Sequence, residues 1–275
     1  MNPGGRPSEA RLRAAVAGRV VLVTGASHGI GRATATRLAR AGATVLLLAR
    51  SADVLEQLAQ ELRAAGGDAH AYPFDLTDLD ATPALAQRLL AEHGPPDVVV
   101  NNAGKSIRRS IDRSYERFHD FTRTTDLNYL GPVRLLLALL PAMRARGSGH
   151  VVNVSTVGVL LPPTPRWSAY QASKAAFDVW LRSMAAEAHA DGVTATSLYM
   201  ALVYTRMSAP TGDFKLVPGL SPDEAAALVC HAIVDRPPAI APWWASTAAL
   251  MSTAARGPSE KLVRLYARFH GDPPR

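Results

Sequence analysis

Residues 19–35 read Arg-Val-Val-Leu-Val-Thr-Gly-Ala-Ser-His-Gly-Ile-Gly-Arg-Ala-Thr-Ala: a short apolar run, a turn carrying three glycines, and the opening of a helix. Gly25, Gly29 and Gly31 allow the backbone to turn sharply and approach a diphosphate. The free N–H groups and the positive end of the new helix would then offset the ligand's charge. A plain strand-to-helix turn needs only one glycine, so the surplus points to a nucleotide site. Ser27, His28 and Ile30 lie within the same turn and are candidate cofactor contacts.

The remainder of the chain repeats this strand-helix unit. Short Val/Ala/Leu runs near 19–24, 44–49, 69–74, 97–101, 149–155, 193–199 and 238–242 alternate with helical stretches near 30–42, 53–66, 80–93, 114–125, 128–146, 169–190 and 221–235. Such alternation predicts an α/β fold, a doubly wound and mostly parallel sheet. The runs are apolar nearly throughout, as expected when helices cover both sheet faces. No break in composition divides residues 18–275, which read as a single domain. Residues 1–17 read as a loose, flexible arm with a short helix from Ser8 to Val16. Pro and Gly cluster at 161–165, 209–219 and 236–242. Loops late in such a chain lie over the carboxyl ends of the strands, so the substrate wall is expected there, with the C-terminal segment on the same side.

Composition narrows the class. The chain has 275 residues, 48% of them hydrophobic and 19% charged, which excludes a disordered protein. A lone cysteine, Cys230, excludes an intrachain disulfide framework and fits a reducing compartment, with the cytosol as default. No apolar run reaches the roughly eighteen residues of a membrane-spanning helix, and the N-terminus lacks a secretory signal. The net charge of +7 is scattered with no run of five basic residues, which argues against nucleic acid and fits a phosphate-bearing cofactor or substrate. No metal site is expected.

Several positions add chemistry. Leu46-Leu-Leu-Ala-Arg50-Ser51 ends the second run on a cation, where an acid would grip the adenosine ribose of NAD. A guanidinium there suits a 2′-phosphate, so NADP or NADPH is expected, with Arg50 as anchor and His28 and Ser51 as helpers. Asp75 and Leu76 close the third run and are expected to bracket the adenine. Asn101-Asn102-Ala103-Gly104 closes the fourth and is expected beside the nicotinamide ribose, although Asn and Gly also favour simple turns. Tyr170-Gln-Ala-Ser-Lys174 places a phenol and an ammonium about one helical turn apart, on one face. A neighbouring ammonium favours the phenolate, which would bring a group titrating near ~10 toward acid-base work at neutrality.

Thr24-Gly-x3-Gly-x-Gly31, Asn101-Asn-Ala-Gly104, Asn128 and Tyr170-x3-Lys174, in this order and spacing, resemble the short-chain dehydrogenase/reductase family over roughly residues 17–240. The resemblance implies a Rossmann-like domain of about seven strands in the order 3-2-1-4-5-6-7, a nicotinamide cofactor, and a homodimer or homotetramer. It also implies that Tyr170 exchanges the proton, that Lys174 lowers its pKa and holds the nicotinamide ribose, and that Asn128 supports a water relay. The hydroxyl that orients the substrate carbonyl falls on Thr156, one residue further from the tyrosine than is usual, with Ser155 adjacent. Strand parity lets only one of the two face the site, and Thr156 is preferred. Tyr199-Met-Ala-Leu-Val203-Tyr-Thr205 replaces the family's Pro-Gly turn, with Val203 and Thr205 expected at the carboxamide.

A narrower resemblance, to the bacterial fatty acyl-CoA reductase branch, rests on 101–110, Tyr115-Glu-Arg-Phe-His-Asp120, Arg166-Trp-Ser-Ala-Tyr170, 199–203 and Ser221-Pro-Asp-Glu-Ala-Ala226. It implies reduction of a long-chain acyl-CoA to an aldehyde with NADPH, with Arg108 and Arg109 beside the coenzyme A phosphates. The apolar stretch from Trp243-Trp244 to Met251 would line an acyl groove, touch a membrane surface, or serve as a core helix or subunit contact. The alternatives are a ketone, hydroxy-lipid or secondary-alcohol dehydrogenase, and a dinucleotide-sensing protein without catalysis.

Overall fold

Strand β1 (Val20–Thr24) is apolar along its length because both of its faces are covered. Val21 and Val23 enter one buried cluster and Leu22 enters the other. Strand β2 (Thr44–Ala49) repeats the pattern, with Val45 and Leu47 on the first side and Leu46 and Leu48 on the second. The side-chain period of two therefore sends alternate residues into two cores. The computed structural model describes residues 7–209 and 218–269.

The other strands are β3 (Asp68–Pro73), β4 (Val98–Asn101), β5 (Gly149–Thr156), β6 (Val193–Met200) and β7 (Ala239–Ile240). They form one seven-stranded sheet in the order β3-β2-β1-β4-β5-β6-β7, with every pairing parallel. This is the expected doubly wound Rossmann-like sheet. Helices α1 (Glu9–Val16), α2 (Gly29–Arg40), α3 (Ala52–Ala64) and α8 (Pro222–Asp235) fill the first core with residues such as Leu38, Leu58 and Val229. Helices α4 (Thr82–His93), α6 (Gly131–Ala145) and α7 (Ser168–Ala188) fill the second with Leu89, Leu139 and Phe177. The shorter α5 (Phe118–Thr125) packs on α7.

Helix α1 is the short helix read over Ser8 to Val16, but it is packed and not loose. Ser8 caps it by accepting from the Arg11 N–H at 3.3 Å, and Leu12 and Val16 are buried in the first core. Two apolar side chains one helical turn apart give the segment a face to bury. At the other end, α9 (Trp243–Ala254) and α10 (Arg256–Phe269) pack mainly on each other, and Trp243, Leu250 and Leu262 are exposed. Of the Pro/Gly cluster at 209–219, residues 210–217 lie outside the described residues.

The strand order reverses between β1 and β4, so a crevice opens beyond their carboxyl ends. Asn102 ties those two ends together. Its Nδ2 donates to the carbonyl oxygens of Thr24 at 2.9 Å and Gly25 at 3.2 Å, and its own N–H donates to Thr24 Oγ1 at 3.0 Å. Gly25 turns the chain with φ +67°, in the left-handed region. Gly31 is required for a different reason: a Cβ there would collide with the Gly25 carbonyl oxygen and lie 2.6 Å from Asn102 Nδ2. Because backbone cannot yield as a flexible side chain can, Gly31→Ala is expected to destabilise the protein by about 1–3 kcal/mol, the usual cost of overpacking. Thermal unfolding followed by circular dichroism checks this; an unchanged melting temperature would show that the turn has slack.

Candidate active site

A cleft of about 1210 Å³ occupies the crevice, and most of the residues singled out in the sequence meet in it. Gly25, Ser27, His28, Gly29 and Ile30 line its phosphate end, while Arg50 and Ser51 reach it from the end of β2. Leu76, Asn102, Ala103 and Gly104 also line it, as do Ser155, Thr156, Tyr170, Lys174 and Val203, while Thr205 lies over Gly29. Gly31 stands behind the turn, buried, and acts through close packing.

Asp75 sits beside the cleft without lining it. Its neighbours Phe74 and Leu76 line the cleft, but the Asp75 carboxylate turns to Arg50, 3.6 Å away, and accepts from the Thr77 N–H at 3.0 Å. Consecutive residues beyond a strand end point in different directions, and Asp75 meets the Arg50 cation.

Helix α7 carries Tyr170 and Lys174 toward the same cleft. Burial pushes the Tyr170 phenol up to about 12, against a smaller downward pull from its hydrogen bond with Thr156. Burial also brings the Lys174 ammonium down to about 8. Withdrawal from water penalises the charged form of both groups, and Lys174 Nζ donates to the Val154 carbonyl at 3.0 Å. Trp167 leans on the phenol, with ring centroids 5.9 Å apart.

The two candidate hydroxyls have different surroundings. Thr156 bonds to Tyr170 and accepts from the Gly158 N–H at 3.2 Å. Ser155 Oγ is buried with no hydrogen-bond partner among the described residues. Asn128 lies in a single π-helical turn, Asp126–Leu130, between α5 and α6. Such turns insert a residue and re-aim the side chains beside it. Here the turn buries Asn128, whose Oδ1 accepts from the Lys105 N–H at 2.7 Å while Nδ2 donates to the Lys105 carbonyl at 2.9 Å and Ser173 Oγ at 2.9 Å. Asn128 thus holds the strand extending from Gly104 in place beside Lys174.

Arg108 and Arg109 do not line the cleft. Arg109 pairs with the buried Asp120 at 2.6 Å, which Arg117 also approaches to 3.1 Å, so its role is to fix the 109–120 segment. Trp244, read in the sequence as part of an apolar stretch that would line a groove, reaches the cleft from α9. Arg206, which bonds His28 at the cleft, was missed by sequence reasoning, because a lone cation in a loop carries no local signal.

The cleft fits a dinucleotide on its own features. The Gly25–Gly31 turn brings backbone bare of side chains at Gly25 and Gly29 to the cleft at the start of α2, whose first turn carries no acid, and Arg50 lines the same cleft. Residues 19–215 match the short chain dehydrogenase family. The chain is 46% identical to a fatty acyl-CoA reductase of Acinetobacter baylyi, across 95% of this chain and 96% of that protein. It is 43% identical to a fatty acyl-CoA reductase of Mycobacterium tuberculosis, across 82% and 76%. Among solved structures, it is similar to a short-chain dehydrogenase from Streptomyces avermitilis, with TM-score 0.76, 33% identity and coverage of 90% and 97%. A metagenomic short-chain oxidoreductase in complex with NADP aligns with TM-score 0.72, 31% identity and coverage of 83% and 98%. No helix among the described residues is long and apolar enough to cross a membrane. The shared fold, the glycine turn and the Tyr170/Lys174 pair agree with these likenesses: the chain belongs to the short-chain dehydrogenase/reductase family of oxidoreductases.

Proposed function

We propose that the protein is an NADPH-dependent reductase that converts a long-chain acyl-CoA to the aldehyde. The observation that carries the reductase reading is the meeting of the glycine turn, Arg50, Thr156, Tyr170 and Lys174 in one cleft. The substrate reading rests on the full-length likeness to an acyl-CoA reductase, and on the apolar wall formed by Leu161, Trp167, Leu202, Leu220 and Trp244.

When bound, the nicotinamide supplies the hydride; the protein contributes binding, orientation and proton traffic. Gly25, Gly29 and the N–H groups opening α2 take the diphosphate, and Arg50 takes the 2′-phosphate. Thr156 and Tyr170 donate hydrogen bonds to the thioester carbonyl oxygen. As hydride reaches carbon, that oxygen takes the Tyr170 proton and a hemithioacetal forms. Collapse of the hemithioacetal returns the proton to Tyr170, releases the aldehyde, and expels the coenzyme A thiolate, which takes a proton from solvent. Tyr170 thus ends each turnover protonated, and the high pKa that burial imposes keeps the donor loaded beforehand. Lys174, near its own midpoint at about pH 8, and Asn128 hold the tyrosine's end of the cleft.

Purified protein incubated with NADPH and a panel of acyl-CoAs, ketones and aldehydes is expected to oxidise the cofactor with long acyl-CoAs, releasing free thiol one for one. Turnover of ketones with no thioester activity would replace this reading with a ketone or secondary-alcohol dehydrogenase. Tyr170→Phe is expected to lower turnover by at least about a hundredfold, the usual scale of a lost general acid. Its NADPH affinity should hold within about twofold; full activity in that variant would remove Tyr170 from the mechanism.

Lys174 also makes a prediction about pH. Folding lowers its pKa from 10.5 to about 8, so between these values the unfolded chain binds the proton more tightly than the folded one. Stability from this group therefore rises with pH across that window. Replacing the ammonium by an apolar chain in Lys174→Met should remove the rise. Urea denaturation of both proteins from pH 7.5 upward reads the difference, and parallel profiles would mean that Lys174 is not desolvated.

A further inference from the structure

The loop following β6 brings a cation over the glycine turn that no likeness to known proteins assigns. Arg206 Nη1 donates to His28 Nε2 at 2.8 Å, and both residues line the cleft. That bond requires the His28 proton to sit on Nδ1, where Ser27 Oγ lies 3.0 Å away. Burial, and after it the charges of Arg206 and Arg32, hold the His28 pKa below its ordinary value. His28 is thus a neutral acceptor, and the positive charge at this position belongs to Arg206.

Among the described residues no carboxylate pairs with Arg206; its partner is an uncharged imidazole. A guanidinium held this way is oriented without being neutralised, and keeps N–H donors for an anion. The first turn of α2 likewise carries no acid. The 203–208 loop sits directly on that helix end, since a Cβ built on Gly29 would lie 3.3 Å from Thr205 Cγ2. Arg50, in contrast, is anchored across the cleft at the end of β2 by Asp75.

We propose that Arg206, positioned by His28, binds the diphosphate of the dinucleotide and closes a clamp whose other jaw is the Gly25–Gly31 turn. This inference rests on the cofactor reading above and deepens it by separating two anion sites. Arg206 serves the diphosphate common to NADPH and NADH, and Arg50 serves the 2′-phosphate found only in NADPH. His28, expected from the sequence as a helper at the 2′-phosphate, acts here as a positioning residue for Arg206.

Fluorescence titration of NADPH and NADH into the wild-type protein, Arg206→Ala and Arg50→Ala tests the division without any substrate. Loss of a charge-assisted contact predicts that Arg206→Ala raises both dissociation constants by a similar factor, about ten- to a hundredfold. Arg50→Ala should raise only that of NADPH. His28→Phe is expected to weaken both cofactors, and His28→Gln, which keeps an acceptor, to recover most of the loss; a merely structural role would not make this distinction. Unchanged binding in Arg206→Ala, or a loss confined to NADPH, overturns the proposal while leaving the cofactor reading intact. Wild-type protein that binds neither dinucleotide overturns both.

Discussion

The turn between β1 and α2 lies so close to the end of β4 that there is no space for a side chain at Gly31, and Asn102 fastens the two segments through the Thr24 and Gly25 carbonyls. This contact sets the shape of the crevice. With the β1 and β4 ends joined, Gly29 and Ile30 at the opening of α2 line the cleft together with Ala103 and Gly104. Farther along the same segment, Asn128 receives the Lys105 backbone in two hydrogen bonds, so phosphate end and chemical end are linked through one short stretch of chain, residues 102–105.

At the other end of the cleft, Tyr170 and Lys174 are both shifted toward their neutral forms by desolvation, and Lys174 donates to a backbone carbonyl. The hydroxyl of Thr156 opposes the upward shift, because a donor to the phenol oxygen favours its anion. Charge is concentrated instead around the phosphate end, at Arg50 and Arg206. The separation is physically sensible for the proposed reaction, because cations attract anions, while low polarity strengthens each hydrogen bond made beside an apolar wall.

Much was legible in the sequence because the signals are local or periodic. Seven apolar runs separated by helical stretches specify a parallel sheet with two covered faces, and each run appears as a strand. The glycine turn, Asn101–Gly104 and the Tyr170/Lys174 pair are short-range patterns, and all of them gather at the cleft. Less legible were the partners that lie far away in sequence: Asp75 meets Arg50, and Arg109 pairs with buried Asp120. The short helix read over Ser8 to Val16 is present as α1, but its burial through Leu12 and Val16 depends on the core it meets.

By itself, then, the sequence determined the order of strands and helices, the position of the glycine turn, and which residue types could handle a hydride donor's phosphates and a proton. Those depend on backbone sterics and on hydrophobic period, both properties of neighbouring residues. Tertiary structure alone decided which ionisable groups are charged and which hydroxyl meets the tyrosine, because desolvation and hydrogen bonding depend on what surrounds a group in space. It alone brought Arg206 to His28, 178 positions earlier in the chain, and so placed a second cation over the turn.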